Sequence, residues 1–260
     1  MKILRTGSKG IYVKNWQYFL LGLELYKGEV DGDFGPKTLV ATLDFQKNNG
    51  LTPDGIVGNR TIGAALLQGF QAFKEDNWDQ SSINWPEKPN FKPILSQQAR
   101  QIMFGKFYFK PDPLPDDPEN IQIIDGWEAE NIVTVEIPQL KKITHRSGKI
   151  RFHKEGADQI LKLWQDWEDQ GLLYLVLTWH GSYVSRFIRG SRSVLSNHAF
   201  GIAFDINYQW NKLGAIPALV GEPGSVRELV EIANVNGFYW GGHFKNRSDG
   251  MHFELAEKRH

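Results

Sequence analysis

Ser196-Asn197-His198-Ala199-Phe200-Gly201-Ile202-Ala203-Phe204-Asp205-Ile206 changes character at its single glycine. After Gly201 the residues alternate as a strand does, with Ile202, Phe204 and Ile206 on an apolar face and Ala203 and Asp205 on the other. His198 lies seven residues before Asp205, and an odd separation on one straight strand would set the two on opposite faces. A turn at His198 followed by a strand removes that conflict. Met251-His252-Phe253-Glu254-Leu255 alternates in the same way, with His252 and Glu254 on its polar face. If the two strands are neighbours, His252 and Asp205 converge on one cleft, and the small Ala203 leaves room beside them.

Working outward, residues 96–104 read as a helix and 111–120, rich in Pro and Asp, as a loop. Residues 132–137 and 149–153 read as strands, 156–170 as an amphipathic helix, and 172–178 as a buried strand. A helix is expected over 225–236 and short strands over 237–240 and 251–255. This uneven segregation favours an α+β domain with a small antiparallel sheet and flanking helices.

The other end of the chain is different. Asp31-Gly32-Asp33-Phe34-Gly35 is echoed by Asp54-Gly55-Ile56-Val57-Gly58, and each copy places a tight turn before a helix. Pro36 suits a first helical turn. Helical patterns surround these turns: Val13, Trp16, Gln17 and Leu20; then Leu39, Leu43, Phe45 and Gln46; then Ile62, Ala65 and Leu66. The expected organisation is a small all-α three-helix domain over 1–69, a linker over 70–95, and the α+β domain over 96–260. Trp78, Trp85 and Phe91 suggest that the linker packs against something.

Lys plus Arg and Asp plus Glu balance at 30 each, so no global basic field points to nucleic acid or a membrane surface. Without cysteine there is no disulfide, thiolate site or cysteine nucleophile, and any metal must be held by His and carboxylate. No run approaches the roughly 20 apolar residues of a membrane span, and residues 1–8 lack the apolar core of a signal peptide. Synthesis in the cytoplasm is therefore expected, with no membrane insertion and no nucleic-acid partner.

His198, Asp205 and His252 form a candidate metal set, since two imidazoles and a carboxylate leave zinc an open position and lower the pKa of water there to about 7. Asp249, three residues before His252, is placed to move that water's proton. A single histidine in a folded domain is usually structural, and His180 and His243 are expected to hydrogen-bond near the cleft without touching metal.

Ser196-x-His198-x-x-Gly201-x-Ala203-x-Asp205, followed by Trp240-Gly241-Gly242 and Asp249-x-x-His252-Phe253-Glu254, resembles the LAS zinc peptidases. These comprise D-Ala-D-Ala carboxypeptidases and dipeptidases and the L-alanyl-D-glutamate endopeptidases of phage endolysins. The resemblance covers roughly 95–260 and is strongest from 180 onward. It implies Zn2+ held by His198, Asp205 and His252, Asp249 as catalytic base, an upstream arginine that stabilises the oxyanion, and Ser196 as a substrate contact. Arg186 is favoured for the arginine over Arg189 and Arg192. Aspartate at the base position, where the family often has glutamate, fits the endopeptidase branch better than the dipeptidase branch.

The N-terminal turns, with Thr38, Thr61 and Phe45-Gln46, resemble the peptidoglycan-binding domain 1 family. Trp16, Tyr18 and Tyr26 are candidates for stacking on glycan or for packing, with packing favoured for Trp16. Both resemblances imply bacterial peptidoglycan as the partner. They imply a monomeric hydrolase that cuts a stem-peptide amide, L-Ala–D-Glu first, and that reaches the wall through a holin-type lesion. The alternatives are D-Ala-D-Ala carboxypeptidase or cross-link endopeptidase activity and, from another class, a non-catalytic wall-binding or phage structural protein.

Overall fold

The computed structural model describes residues 3–70, 85–144, 147–245 and 247–259. Its N-terminal part is helical: α1 (Ile11–Gly22), α2 (Pro36–Asn48) and α3 (Asn59–Leu66) enclose a core that includes Trp16, Phe19, Phe34, Phe45 and Phe70. Pro36 begins α2, where its missing N–H costs no helical hydrogen bond. The buried face of α2 is Thr38, Ala41, Thr42, Phe45 and Gln46; Leu39 and Leu43 lie at its margin and Leu66 of α3 is exposed. Phe45 and Gln46 are buried as the helical pattern expects, while Thr38, Ala41 and Thr42 take the inner places expected for Leu39 and Leu43.

The reason lies in the repeated turns. Gln17 in α1 accepts the Gly32 N–H at its Oε1, while its Nε2 donates to Asp31 Oδ1, the Asp33 carbonyl and Thr38 Oγ1. Gln46 in α2 repeats the arrangement, accepting from Gly55 N–H and donating to Asp54 Oδ1, the Ile56 carbonyl and Thr61 Oγ1. Each buried glutamine therefore satisfies a turn backbone that has no strand or helix partner. Gly32 and Gly55 take positive φ (83° and 71°) in these turns. Trp16 is fully buried with its indole N–H on Thr42, and Tyr26 is buried with its hydroxyl donating to the Glu29 carbonyl. Both pack, and neither is open to a glycan.

The second part is α+β. It runs α4 (Gln97–Phe104), β1 (Phe109–Pro111), β2 (Ile121–Ile123), α5 (Trp127–Asn131), β3 (Ile132–Glu136), α6 (Pro138–Thr144), β4 (Lys149–His153) and α7 (Ala157–Asp169). It continues through β5 (Trp179–Gly181), β6 (Ala203–Ile206), α8 (Val230–Val235), β7 (Phe238–Trp240) and β8 (His252–Leu255). β1–β2 and β3–β4 are antiparallel pairs, and the remaining strands form an antiparallel sheet in the order β5-β6-β8-β7. Trp164 and Trp167 of α7 close the back of this sheet by packing edge-on and tilted against Phe204 and Phe253.

Two expected elements differ. Residues 172–178 are not a strand: a 3-10 turn spans Leu173–Leu175, and Tyr174 and Leu177 are exposed. The Asn207 side chain serves this segment in place of a strand, accepting from the Leu177 and Thr178 N–H groups and donating to the Leu175 carbonyl. The helix expected over 225–236 begins as a 3-10 turn at Arg227–Leu229 and becomes regular only in α8.

The segment before α4 packs on the α+β part. Trp85 lies 5.3 Å from Trp240 with the Arg227 guanidinium over its ring, and Phe91 meets Tyr239 edge-on. Trp78 falls outside the described residues. No helix among the described residues is long and apolar enough to cross a membrane.

Candidate metal centre

β6 and β8 are direct antiparallel neighbours, and their register sets Asp205 opposite His252 and Ala203 opposite Glu254. His198 reaches the same place from a 3-10 turn, Asn197–Phe200, that ends at Gly201 in the left-handed region (φ 66°). A side chain at Gly201 would meet Ile132 Cδ1 at 2.6 Å and the His153 nitrogen at 3.0 Å, so the β3–β4 pair presses directly on this turn. Ser196 caps it by accepting the His198 N–H at Oγ.

One donor atom from each of His198, Asp205 and His252 falls within 4.8 Å of the others, and all three residues are buried. His198 Nε2 is 3.2 Å from Asp205 Oδ2, and His252 Nδ1 is 3.0 Å from Asp205 Oδ1. The outer ring atoms are already engaged: His198 Nδ1–H donates to the Ser182 carbonyl, and His252 Nε2 faces Glu254 Oε2 at 3.0 Å. These bonds fix opposite ring atoms inward, Nε2 for His198 and Nδ1 for His252. Glu254 is held in turn by Asn197 Nδ2, and Asn197 Oδ1 accepts from Arg100 at 2.8 Å. Converging imidazoles and a carboxylate, each oriented from behind, fit a divalent zinc ion by donor chemistry.

The electrostatics agree with a site built for positive charge. Burial works against the Asp205 anion, yet His198 and His252 hold its carboxyl well below the ordinary range. Burial alone would lower His252, but hydrogen bonds to Asp205 and Glu254 outweigh it and raise that imidazole to about 10.

Asp249 approaches from the turn between β7 and β8. It is buried, its Oδ1 has no hydrogen-bond partner among the described residues, and its Oδ2 lies 3.6 Å from Arg247 Nη2. Burial raises its pKa, outweighing the pull of His252 and Arg247. Trp240-Gly241-Gly242 explains this approach. The Trp240 indole donates to the Gly250 carbonyl, and a side chain at Gly241 would strike the Asp249 carbonyl at 2.5 Å.

These residues open into a cavity of about 780 Å³, whose wall also carries Ser196, Arg186, Arg189 and Arg247. Arg189 and Arg192 are committed elsewhere, both bonded to the buried Glu119. Arg186 forms no ion pair among the described residues and donates only to the Phe187 carbonyl. Burial, followed by the nearby Arg189, pulls its pKa down to about 10, which leaves it cationic at neutral pH. His243 bonds the Pro86 carbonyl, and the exposed His180 stacks on Tyr208; neither joins the metal set. Glu254, Asn197 and Arg100 lie outside the sequence-based candidate set. Only the shared polar face of His252 and Glu254 pointed toward one of them.

Two stretches of the chain match known families. Residues 10–64 match a family described as "Putative peptidoglycan binding domain", and residues 189–255 match one described as "D-alanyl-D-alanine carboxypeptidase". Among curated relatives, a "Probable N-acetylmuramoyl-L-alanine amidase" of Bacillus licheniformis is 30% identical over 129 residues, covering 48% of this chain and 35% of that protein. An "Uncharacterized protein in bpoA1 3'region" of Kitasatospora aureofaciens is 48% identical over 70 residues, covering 26% of this chain and 59% of that protein. The chain thus spans less than two thirds of the length of each of these relatives.

Proposed function

We propose that this chain is a zinc-dependent peptidoglycan hydrolase, endolysin-like, that cuts a stem-peptide amide, with the L-Ala–D-Glu bond as first choice. The observation that carries the reading is the buried His198–Asp205–His252 donor set with Asp249 beside it, its Oδ1 unpartnered among the described residues. Similarity to a peptidoglycan-binding family at one end and to a peptidase family at the other supports the same polymer as substrate.

When bound, zinc would polarise the scissile carbonyl and acidify the attacking water. Asp249 takes that water's proton at Oδ1 and returns it to the leaving amine; a carboxylate raised by burial is better matched to this shuttle than an ordinary one. Arg186, cationic and free of any ion pair among the described residues, supplies positive charge to the developing oxyanion. Glu254 and Ser182 keep the two imidazoles in their tautomers. The N-terminal module holds the enzyme on an insoluble wall and raises its local concentration there.

The D-Ala-D-Ala carboxypeptidase reading has support of its own. The family matched over 189–255 bears that name, and the cavity wall carries Arg186, Arg247 and Lys245, which suit a substrate carboxylate.

Mass spectrometry of fragments released from purified sacculi separates these readings. New N-terminal D-Glu supports the endopeptidase, loss of one terminal alanine supports the carboxypeptidase, and release of the whole stem peptide would indicate the amidase bond named for the Bacillus relative. His198→Ala should abolish release, with a loss of at least about a thousandfold, and should lower the bound metal measured by elemental analysis. Unchanged release by this variant would overturn the metal mechanism. Wall binding without release by the wild type would leave a non-catalytic wall-binding protein.

A further inference from the structure

The N-terminal module does more than lie beside the cavity. The end of α1 packs against residues 213–214: a side chain at Gly22 would strike the Leu213 carbonyl at 2.0 Å, and one at Gly214 would meet the Phe19 nitrogen at 2.9 Å. The Gly214 N–H donates to the Ser248 carbonyl at 2.7 Å, so this contact ends on the residue between Arg247 and Asp249. A second contact lands on Arg247 itself, whose guanidinium lies over the Tyr18 ring at 5.3 Å. The other face of the cavity is held as well: the Val30 N–H donates to the Gly190 carbonyl at 2.7 Å, four residues beyond Arg186. Residues of α1 and its following loop therefore touch both loops that bring arginines to the cavity.

We propose that Tyr18 is a positioning residue for the candidate active site. Its ring holds the Arg247 guanidinium beside Asp249, so that the N-terminal module completes the catalytic cleft as well as binding wall. A cation held over an aromatic face has a preferred direction as well as an energy. With the Tyr18 ring behind it, Arg247 stays within ion-pair distance of Asp249 Oδ2, while Oδ1 is buried with no hydrogen-bond partner among the described residues. A wall-binding unit joined only by a tether would affect insoluble substrate alone. A unit that positions Arg247 affects every substrate.

The kinetic test rests on the hydrolase reading and uses the full chain with a soluble muropeptide, which needs no wall anchoring. Tyr18→Ala should lower kcat about tenfold by loosening Arg247, while Tyr18→Phe, which keeps the ring face, should retain the wild-type rate. Arg247→Ala should lower kcat at least as far, and adding Tyr18→Ala to it should lower kcat no further. Co-sedimentation with sacculi should be equal for Tyr18→Ala and wild type. Unchanged muropeptide turnover in Tyr18→Ala, an equal loss in Tyr18→Phe, or independent multiplication of the two losses would overturn the proposal. The contact has its own readout in the NMR signal of the Arg247 Nε–H, assigned with Arg247→Lys. That signal should carry a ring-current shift in the wild type and in Tyr18→Phe and lose it in Tyr18→Ala; an unshifted wild-type signal would overturn the proposal. If the wild type cuts no muropeptide, the hydrolase reading fails while this signal still tests the contact.

Discussion

The turns of the N-terminal repeat and the cleft of the α+β part both gather buried polar side chains, but they complete them differently. Around Gln17 and Gln46 the amide oxygen accepts, the amide nitrogen donates, and the turn is closed. In the cleft, the rear of each group is just as well served, through Ser182, Glu254 and Asn197. The front is not: imidazole and carboxylate atoms crowd one another, and Asp249 Oδ1 has no partner among the described residues. A buried polar group whose bonds are all made is scaffold. One fixed from behind and open in front is poised for a ligand, because an unmet buried group costs free energy that a ligand can recover.

The comparison can be tested from both sides. Asp249→Asn removes the proposed proton acceptor and keeps the shape; we expect turnover to fall by about 10²–10⁴ with bound metal unchanged by elemental analysis. A loss of metal together with activity would put Asp249 among the ligands and erase its separate role. A scaffold histidine provides the next test. Burial pulls His153 down to about 4, against the hydrogen bond from its ring to the Phe104 carbonyl. Because its folded pKa lies below the unfolded value, the unfolded chain binds the extra proton. The stability it secures is present above pH 6.5 and is lost as pH falls toward 4, by up to about 3 kcal/mol. Denaturant titrations at pH 7 and pH 4.5 should show this decline, and His153→Gln should flatten it; an equal slope in both proteins would remove His153 as its source. The smallest effect is expected from Gln46→Ala, which orphans the Gly55 N–H and should destabilise the N-terminal module by about 2 kcal/mol. Muropeptide turnover should hold while the module stays folded.

The same contrast explains what could be read from the residues. Alternation in 202–206 and 251–255 was sufficient to put Asp205 and His252 on the polar faces of their strands, because a strand's two faces are set by backbone geometry alone; that the strands are neighbours in this register is shown by the structure. The apolar run 172–178 misled because composition does not say what meets the backbone, and here the partner is one asparagine side chain 29–32 residues away. Glu254 could be placed on a face but not given a partner, and Gln17 and Gln46 could be placed with the apolar faces of their helices but not given the turn groups they bond. Their roles depend on groups brought near only by folding. The Arg186 assignment drew on family pattern; the structure adds that Arg189 and Arg192 are engaged with Glu119.

The seam of Gly22, Leu213 and Gly214, with Val30 against Gly190, bears on how such proteins can be recombined. Exchanging N-terminal modules between chains is one way to recombine them. Here the donor and recipient would share a fitted joint with no space for a single added methyl group at Gly22 or Gly214. A chimera that exchanges the first 70 residues would have to transplant both sides of that joint, or accept an α+β part with an uncovered flank.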